Sequence, residues 1–286
     1  MMNKALLLLI MACFSVSLGC NAKTLQLNLM TFNIRYDNPE DSLNNWQFRK
    51  GFVAKMINFY DVDVLGTQEV LHNQLTDMLA ALPQYAYAGV GRLDGKEAGE
   101  YSAIFYKKEK FALLKSGNFW LSETPSAAGV KGWDAACERI VTWVILQEKT
   151  TGKKFAFINT HFDHIGPIAR RESAKLLLSK VDEIAQGLPL FVSGDFNSIP
   201  QSEVITILTD KKNSGYLTDS RSIASFIYGP EWTNHAFGRV PMEKRRIIDY
   251  IFVKNEISVQ LQSVVAEMLG NLYLSDHNPV LIKATF

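Results

Sequence analysis

Residues 190–200 read LFVSGDFNSIP, an apolar run that ends in Ser193-Gly194 and then sets Asp195 and Asn197 on either side of Phe196. On an extended chain, residues two apart face the same side and the one between faces the other. A carboxylate and an amide placed this way can hold a water and a phosphoryl oxygen. The same pattern also closes a strand as an Asx-type turn. Other polar groups recur where apolar runs give out: Asn33, Glu69, His161 with Asp163, and Asp249, followed by Asp276-His277. Taken singly, Glu69 reads equally as a solvated strand end and His161 as a satisfied core histidine. Asp249 reads as a partner of Arg245 or Arg246, and Asp276-His277 as a turn. Their repetition along one chain points to a single crevice at the carboxyl ends of the strands.

Those groups need elements to carry them. Residues 25–34 and 62–70 read as strands, with a helix over 46–60 between them whose apolar face is Phe48, Phe52, Val53, Met56 and Phe59. A helix over 74–82 and strands over 85–91, 100–107, 111–116 and 119–122 follow. Residues 140–147 and 154–159 form a hairpin, and Ile168, Ala174, Leu177, Leu178, Val181 and Ala185 mark a helix over 166–186. After the strand that carries Asp195 come a short helix at 202–208 and strands over 246–253, 259–267 and 278–286. No repeat or internal domain boundary is visible, so 23–286 reads as one domain.

Residues 1–22 are of another kind. Lys4 precedes an apolar stretch over 5–14 and small residues follow, the pattern of a secretory signal. Ser17-Leu18-Gly19-Cys20 resembles a bacterial lipobox, which makes Cys20 a lipid-anchor candidate, and cleavage after Ala22 is the alternative. The expected location is therefore exported: a cell-envelope lipoprotein, or a periplasmic or secreted protein. Cys13 and Cys20 fall in this segment, which leaves Cys137 and no disulfide framework. The chain has 30 basic and 29 acidic residues, and loses only Lys4 with the signal. Such a balance lacks the basic surplus of a tight duplex binder.

TFNIRYDN (31–38), GTQEV (66–70), NTHFDH (159–164), GDFN (194–197), IDYIFV (248–253) and SDHNPV (275–280) together resemble the endonuclease/exonuclease/phosphatase superfamily, in that family's order. The resemblance implies an α/β fold, a four-layered α/β sandwich of two mixed β-sheets packed face to face with helices on the outer faces. It also implies a divalent-metal phosphoesterase site for Mg²⁺ or Mn²⁺. Carried over by motif, Glu69 is the principal metal ligand, with Asn33 and Asp276 near the ion. Asp195 orients or deprotonates the attacking water, and Asn197 holds a nonbridging oxygen. His277, oriented by Asp249, stabilises charge on the phosphoryl group, and His161 lies near the phosphate or leaving group. Glu100 is expected to pair with His161, and Arg170 to contact substrate phosphate.

The resulting expectation is an exported, metal-dependent phosphoesterase that acts by in-line attack of an activated water on a small or lipid-borne phosphoester. A secreted endonuclease or exonuclease acting on nucleic acid is the alternative, and a catalytically silent binding module on the same fold is a second. Loops at 93–100, 123–139 and 225–243 should set selectivity, with Trp120, Trp133 and Trp232 forming aromatic walls. A zinc cluster around His161 and His164 is disfavoured because no Cys or third His has ligand spacing. The domain is expected to be monomeric.

Overall fold

Strands that are apolar at successive residues need cover on both faces, and the chain supplies it with a second sheet on one side and helices on the other. The computed structural model describes residues 24–286. The signal read over 1–22, with Cys20 and both cleavage alternatives, lies outside the described residues. In chain order the strands are β1 (Gln26–Asn33), β2 (Val64–Gln68), β3 (Tyr85–Ala88), β4 (Ile104–Lys107), β5 (Phe111–Trp120), β6 (Ile140–Glu148), β7 (Lys154–His161), β8 (Leu190–Asp195), β9 (Thr218–Asp219), β10 (Phe226–Tyr228), β11 (Asp249–Lys254), β12 (Ser258–Val264), β13 (Met268–Leu269), β14 (Leu272–Tyr273) and β15 (Val280–Thr285). The helices are α1 (Trp46–Phe59), α2 (His72–Ala81), α3 (Pro167–Ala185), α4 (Glu203–Thr209) and α5 (Ser220–Ile223).

One sheet has seven strands in the order β10-β12-β15-β1-β2-β4-β3, and the other has six in the order β5-β6-β7-β8-β11-β9. Both are mixed: β1 runs parallel to β2 and antiparallel to β15, while β8 runs parallel to β7 and antiparallel to β11. Leu27, Leu29, Val64 and Ile104 of the first sheet pack on Phe155, Phe157, Phe191 and Ile251 of the second. α1 and α2 cover the outer face of the first sheet, and α3 and α4 that of the second. The result is the expected four-layered sandwich.

Register brings the polar strand ends together. His161, Asp195 and Asp249 form one row across β7, β8 and β11. In the other sheet Asn33 is the last residue of β1, and Asp276-His277 lie just before β15, separated from it by Asn278 and Pro279, with Val280 of β15 paired to Thr31. The expectation of a crevice at carboxyl ends needs a correction: β11 and β15 are antiparallel to their neighbours, so Asp249 and Asp276-His277 arrive from amino-terminal ends.

A buried polar seam joins the sheets beneath this row. Gln68 donates to Thr31 Oγ1 (3.0 Å) and Asn159 Oδ1 (2.7 Å), Asn159 donates to the Thr67 and Ala103 carbonyls (2.8 and 3.0 Å), and Ser193 Oγ donates to Asn159 Oδ1 (3.0 Å). Gly66 faces this seam, where a Cβ would lie 2.3 Å from Ser193 Oγ. Several motif residues are thus explained by sheet docking, because buried polar groups are satisfied by one another here.

Three element readings change. On α1, Phe48 and Phe59 are 61% and 78% exposed. The buried face is instead Trp46, Arg49, Val53, Ala54, Met56 and Ile57, because Arg49 turns inward and rotates the stripe. The two strands read at 111–116 and 119–122 are one, β5, with an irregularity between Leu113 and Lys115. Gly117 continues it by letting the Trp143 ring lie over the backbone. Finally, 226–228 within the loop read at 225–243 is the edge strand β10.

Candidate active site

Asp195, the last residue of β8, is the centre of the row. Its Oδ1 accepts from the Asn197 backbone N–H (2.9 Å) and its Oδ2 from Asn33 Nδ2 (3.0 Å). Asn197 has φ 46°, so the backbone is not extended there and the Asx-type turn forms. This turn aims the Asn197 carboxamide at the Phe162 carbonyl (3.0 Å) and at His161 Nε2 (3.1 Å). The turn and the functional placement are therefore the same feature. Burial, and then the Asp249 charge, push the Asp195 carboxyl up to about 7, against the pull of His277, Asn197 and Asn33.

His277 Nδ1 meets Asp249 Oδ2 at 2.9 Å and lies 3.8 Å from Asp195 Oδ2. Burial opposes a charged imidazole here, yet Asp249 and then Asp195 outweigh it and raise His277 well above its ordinary range. Asn234 meets the other ring nitrogen at 2.9 Å. Arg245 and Arg246, the alternative partners for Asp249, donate instead to backbone carbonyls. His161 is the opposite case: burial, then Arg139 and Arg92, hold it well below its ordinary range. It is neutral, with Nε2 3.5 Å from Asp195 Oδ2.

Glu69 follows β2 in the left-handed region, φ 61°, which turns its carboxylate back across the end of β1. Its Oε1 accepts from Asn33 Nδ2 (3.0 Å) and its Oε2 from the Tyr36 backbone N–H (3.2 Å), with Arg35 Nη1 at 4.0 Å. Asn33 therefore bridges Glu69 and Asp195, while its Oδ1 accepts from the Arg35 backbone N–H (3.0 Å). Burial lifts the Asp276 carboxyl above its usual range, and the Glu69 charge adds to this against the pull of His277. A buried carboxyl raised in part by the neighbouring Glu69 charge, the half-buried Glu69 itself and an amide form a hard-oxygen set that suits a small divalent cation. Donor atoms of Asp195, Asp249 and His277 also lie within 4.8 Å of one another, though the His277–Asp249 hydrogen bond already occupies two of those groups.

These residues open onto a cavity of about 340 Å³ lined by Arg35, Tyr36, Glu69, Arg92, Glu100, Cys137, Arg139, His161, His164, Asp195, Asn197 and His277. Each arginine is paired with a carboxylate: Arg35 with Asp41 (2.9 and 3.2 Å), Arg92 with Glu100 (2.7 Å twice) and Arg139 with Asp163 (3.4 Å). Arg139 also meets His164 Nδ1 at 2.8 Å. Sequence reasoning gave no role to Arg35 and Tyr36, although both lie in the TFNIRYDN motif, nor to Arg92 and Asn234, whose local contexts carry no distinguishing signal.

Four placements are corrected. Glu100 pairs with Arg92 rather than His161. Arg170 donates to the Asp163 carbonyl (2.9 Å) and is not among the cavity-lining residues. None of Trp120, Trp133 and Trp232 lines the cavity: the Trp120 indole donates to the Arg92 carbonyl (2.7 Å), and Trp232 packs under Arg245. A cysteine does reach a histidine, since donor atoms of Cys137, Asp163 and His164 lie within 4.8 Å. Cys137 gets there from a distant loop, which spacing in the sequence cannot show.

The chain belongs to the endonuclease/exonuclease/phosphatase family, whose model matches residues 30–277. It is 46% identical to a solved endonuclease/exonuclease/phosphatase of Bacteroides vulgatus, covering 91% of this chain and 98% of that one with a TM-score of 0.87. A mannosyl-6-phosphatase of Bacteroides thetaiotaomicron is 39% identical, covering 91% of this chain and 100% of that one, with a TM-score of 0.84. Human nocturnin is 27% identical over 87% of this chain and 60% of nocturnin. The chain spans about half the length of the curated relatives it matches. Members of the family hydrolyse phosphoesters, typically with a divalent metal.

Proposed function

We propose that the protein is an exported phosphomonoesterase of small polyol phosphates, such as sugar phosphates, that works with Mg²⁺ or Mn²⁺. The carrying observation is the cavity wall: anchored guanidiniums and imidazoles around about 340 Å³, with Tyr36 the lining aromatic besides histidine. Fixed planar donors suit phosphate and hydroxyl groups. A wall with one tyrosine among charged and polar groups offers little stacking for successive bases. The likeness to a mannosyl-6-phosphatase over all of that chain supports the same substrate class. Export is supported by the pattern of residues 1–22.

In this reading Glu69 and Asp276 would hold the cation beside Asn33, where it would supply neutralisation of phosphoryl charge. Asp195 holds the attacking water and takes its proton, which a carboxyl raised to about 7 can do near neutral pH. Asn197 donates to a nonbridging oxygen. His277, kept cationic by Asp249, offsets charge that builds on the phosphoryl group. Neutral His161 and the arginines face the leaving group.

The test is a panel of hexose phosphates, nucleoside monophosphates, phosphodiesters and plasmid DNA, assayed with Mg²⁺ and with Mn²⁺. Hexose phosphates should be turned over fastest, with little nicking of the plasmid. Efficient nicking with no turnover of any small phosphoester would replace this reading with the nuclease one.

A further inference from the structure

Arg49 lies in α1 with no accessible surface and takes part in none of the chemistry above. Its guanidinium donates only to backbone carbonyls: Nε to Asn44, Nη1 to Ile34 (2.9 Å) and Leu274 (2.7 Å), and Nη2 to Arg35 (3.4 Å). The rings of Trp46 and Phe237 flank it, each 5.5 Å away. A fully buried arginine is normally placed against a carboxylate, so this choice of partners calls for a reason.

Three of the four carbonyls, those of Ile34, Arg35 and Leu274, belong to segments that carry the proposed metal ligands. Ile34 and Arg35 directly follow Asn33, and the next residue, Tyr36, gives the backbone N–H that holds Glu69 Oε2. Leu274 lies two residues before Asp276. These segments come from opposite ends of the chain, and Arg49 Nη1 donates to both. A rigid planar fork of donors fixes angles as well as distances. Lysine, with three donors on a flexible stem, does not reproduce them.

We propose that Arg49 is a positioning residue for the metal centre, setting the 34–36 turn against the 274–276 segment so that Asn33, Glu69 and Asp276 converge. The inference rests on the metal-site reading given under Proposed function. Residues that orient metal ligands change affinity by about 10- to 100-fold when replaced.

Calorimetric titration of Mn²⁺ into the wild type, Arg49→Lys and Glu69→Gln tests it. Arg49→Lys should keep its far-UV circular dichroism, bind Mn²⁺ at least about tenfold more weakly, and recover most of its kcat at saturating Mn²⁺ with substrate KM little changed. A folded Arg49→Lys with wild-type Mn²⁺ affinity overturns this inference alone. A wild type that binds no divalent cation overturns the metal reading and this inference together. Should Arg49→Lys fail to fold, the measurement moves to wild type labelled with [¹⁵N]arginine. The buried, slowly exchanging Nε–H of Arg49 should then shift saturably with Mg²⁺. A signal that stays fixed through saturation overturns the proposal.

Discussion

Asp163 and Asp195 are both buried beside the same cavity, yet their surroundings drive them in opposite directions. Asp163 accepts from the Ile165, Gly166 and Ala136 backbone N–H groups and from Arg139. Burial works against its charge, but the N–H groups of Gly166, Ile165 and Ala136, and then Arg139, hold it at about 2. Asp195 has two donors and faces the Asp249 carboxylate, and it is pushed up to about 7. One aspartate thus locks the start of α3 to the 136–139 loop. The other keeps a proton affinity suited to chemistry at the expense of folding free energy. Strand-end aspartates that look alike in sequence are separated by the number of donors and the nearness of a like charge.

The largest expected effect comes from Asp195→Asn. Turnover at saturating metal should fall by about 10²-fold or more, while the melting temperature holds or rises because the repulsion with Asp249 is gone. A variant that keeps a tenth or more of its activity, or that melts well below wild type, would erase the distinction between the two aspartates.

Glu69→Gln comes next and sharpens the comparison by adding a carboxylate whose role is neither. Mn²⁺ binding should weaken at least about tenfold, with the fold retained. Unchanged affinity by calorimetry would remove Glu69 from the metal site.

The smallest effect is that of Asp163→Asn, which should cost stability by about 1 to 2 kcal/mol near neutral pH. The sign follows from the depressed value: between 3.8 and about 2 the folded protein binds fewer protons at Asp163 than the unfolded chain. Its contribution is therefore full above that window and lost as pH falls through it. Thermal melts of wild type and variant from pH 6 to pH 2 should converge at the acid end. Identical melts at pH 6 would show that the four donors carry no net stability.

Much of the fold was legible because hydrophobic periodicity is a local property. The runs ending in Asn33, Glu69, His161 and Asp195 gave β1, β2, β7 and β8 with end errors of a few residues. The α1 face was misread because a single inward charged residue, Arg49, outweighs the exposed Phe48 and Phe59. The pairing of Glu100 was misread because its partner Arg92 sits in a loop whose closure no periodicity describes.

What the sequence determined by itself is therefore the set of polar groups at strand ends, their order along the chain, and through that order the family. Side-chain type and strand termination are both written within a few residues of each position. The tertiary structure decided which of these groups meet. Asn33 bridges Glu69, 36 positions on, to Asp195, 162 positions on, and Gly66 is required by a serine on the facing sheet. Arg49 holds a carbonyl 225 positions away. Proton affinity and ligand geometry arise from such neighbours, which only the docking of the two sheets brings into range.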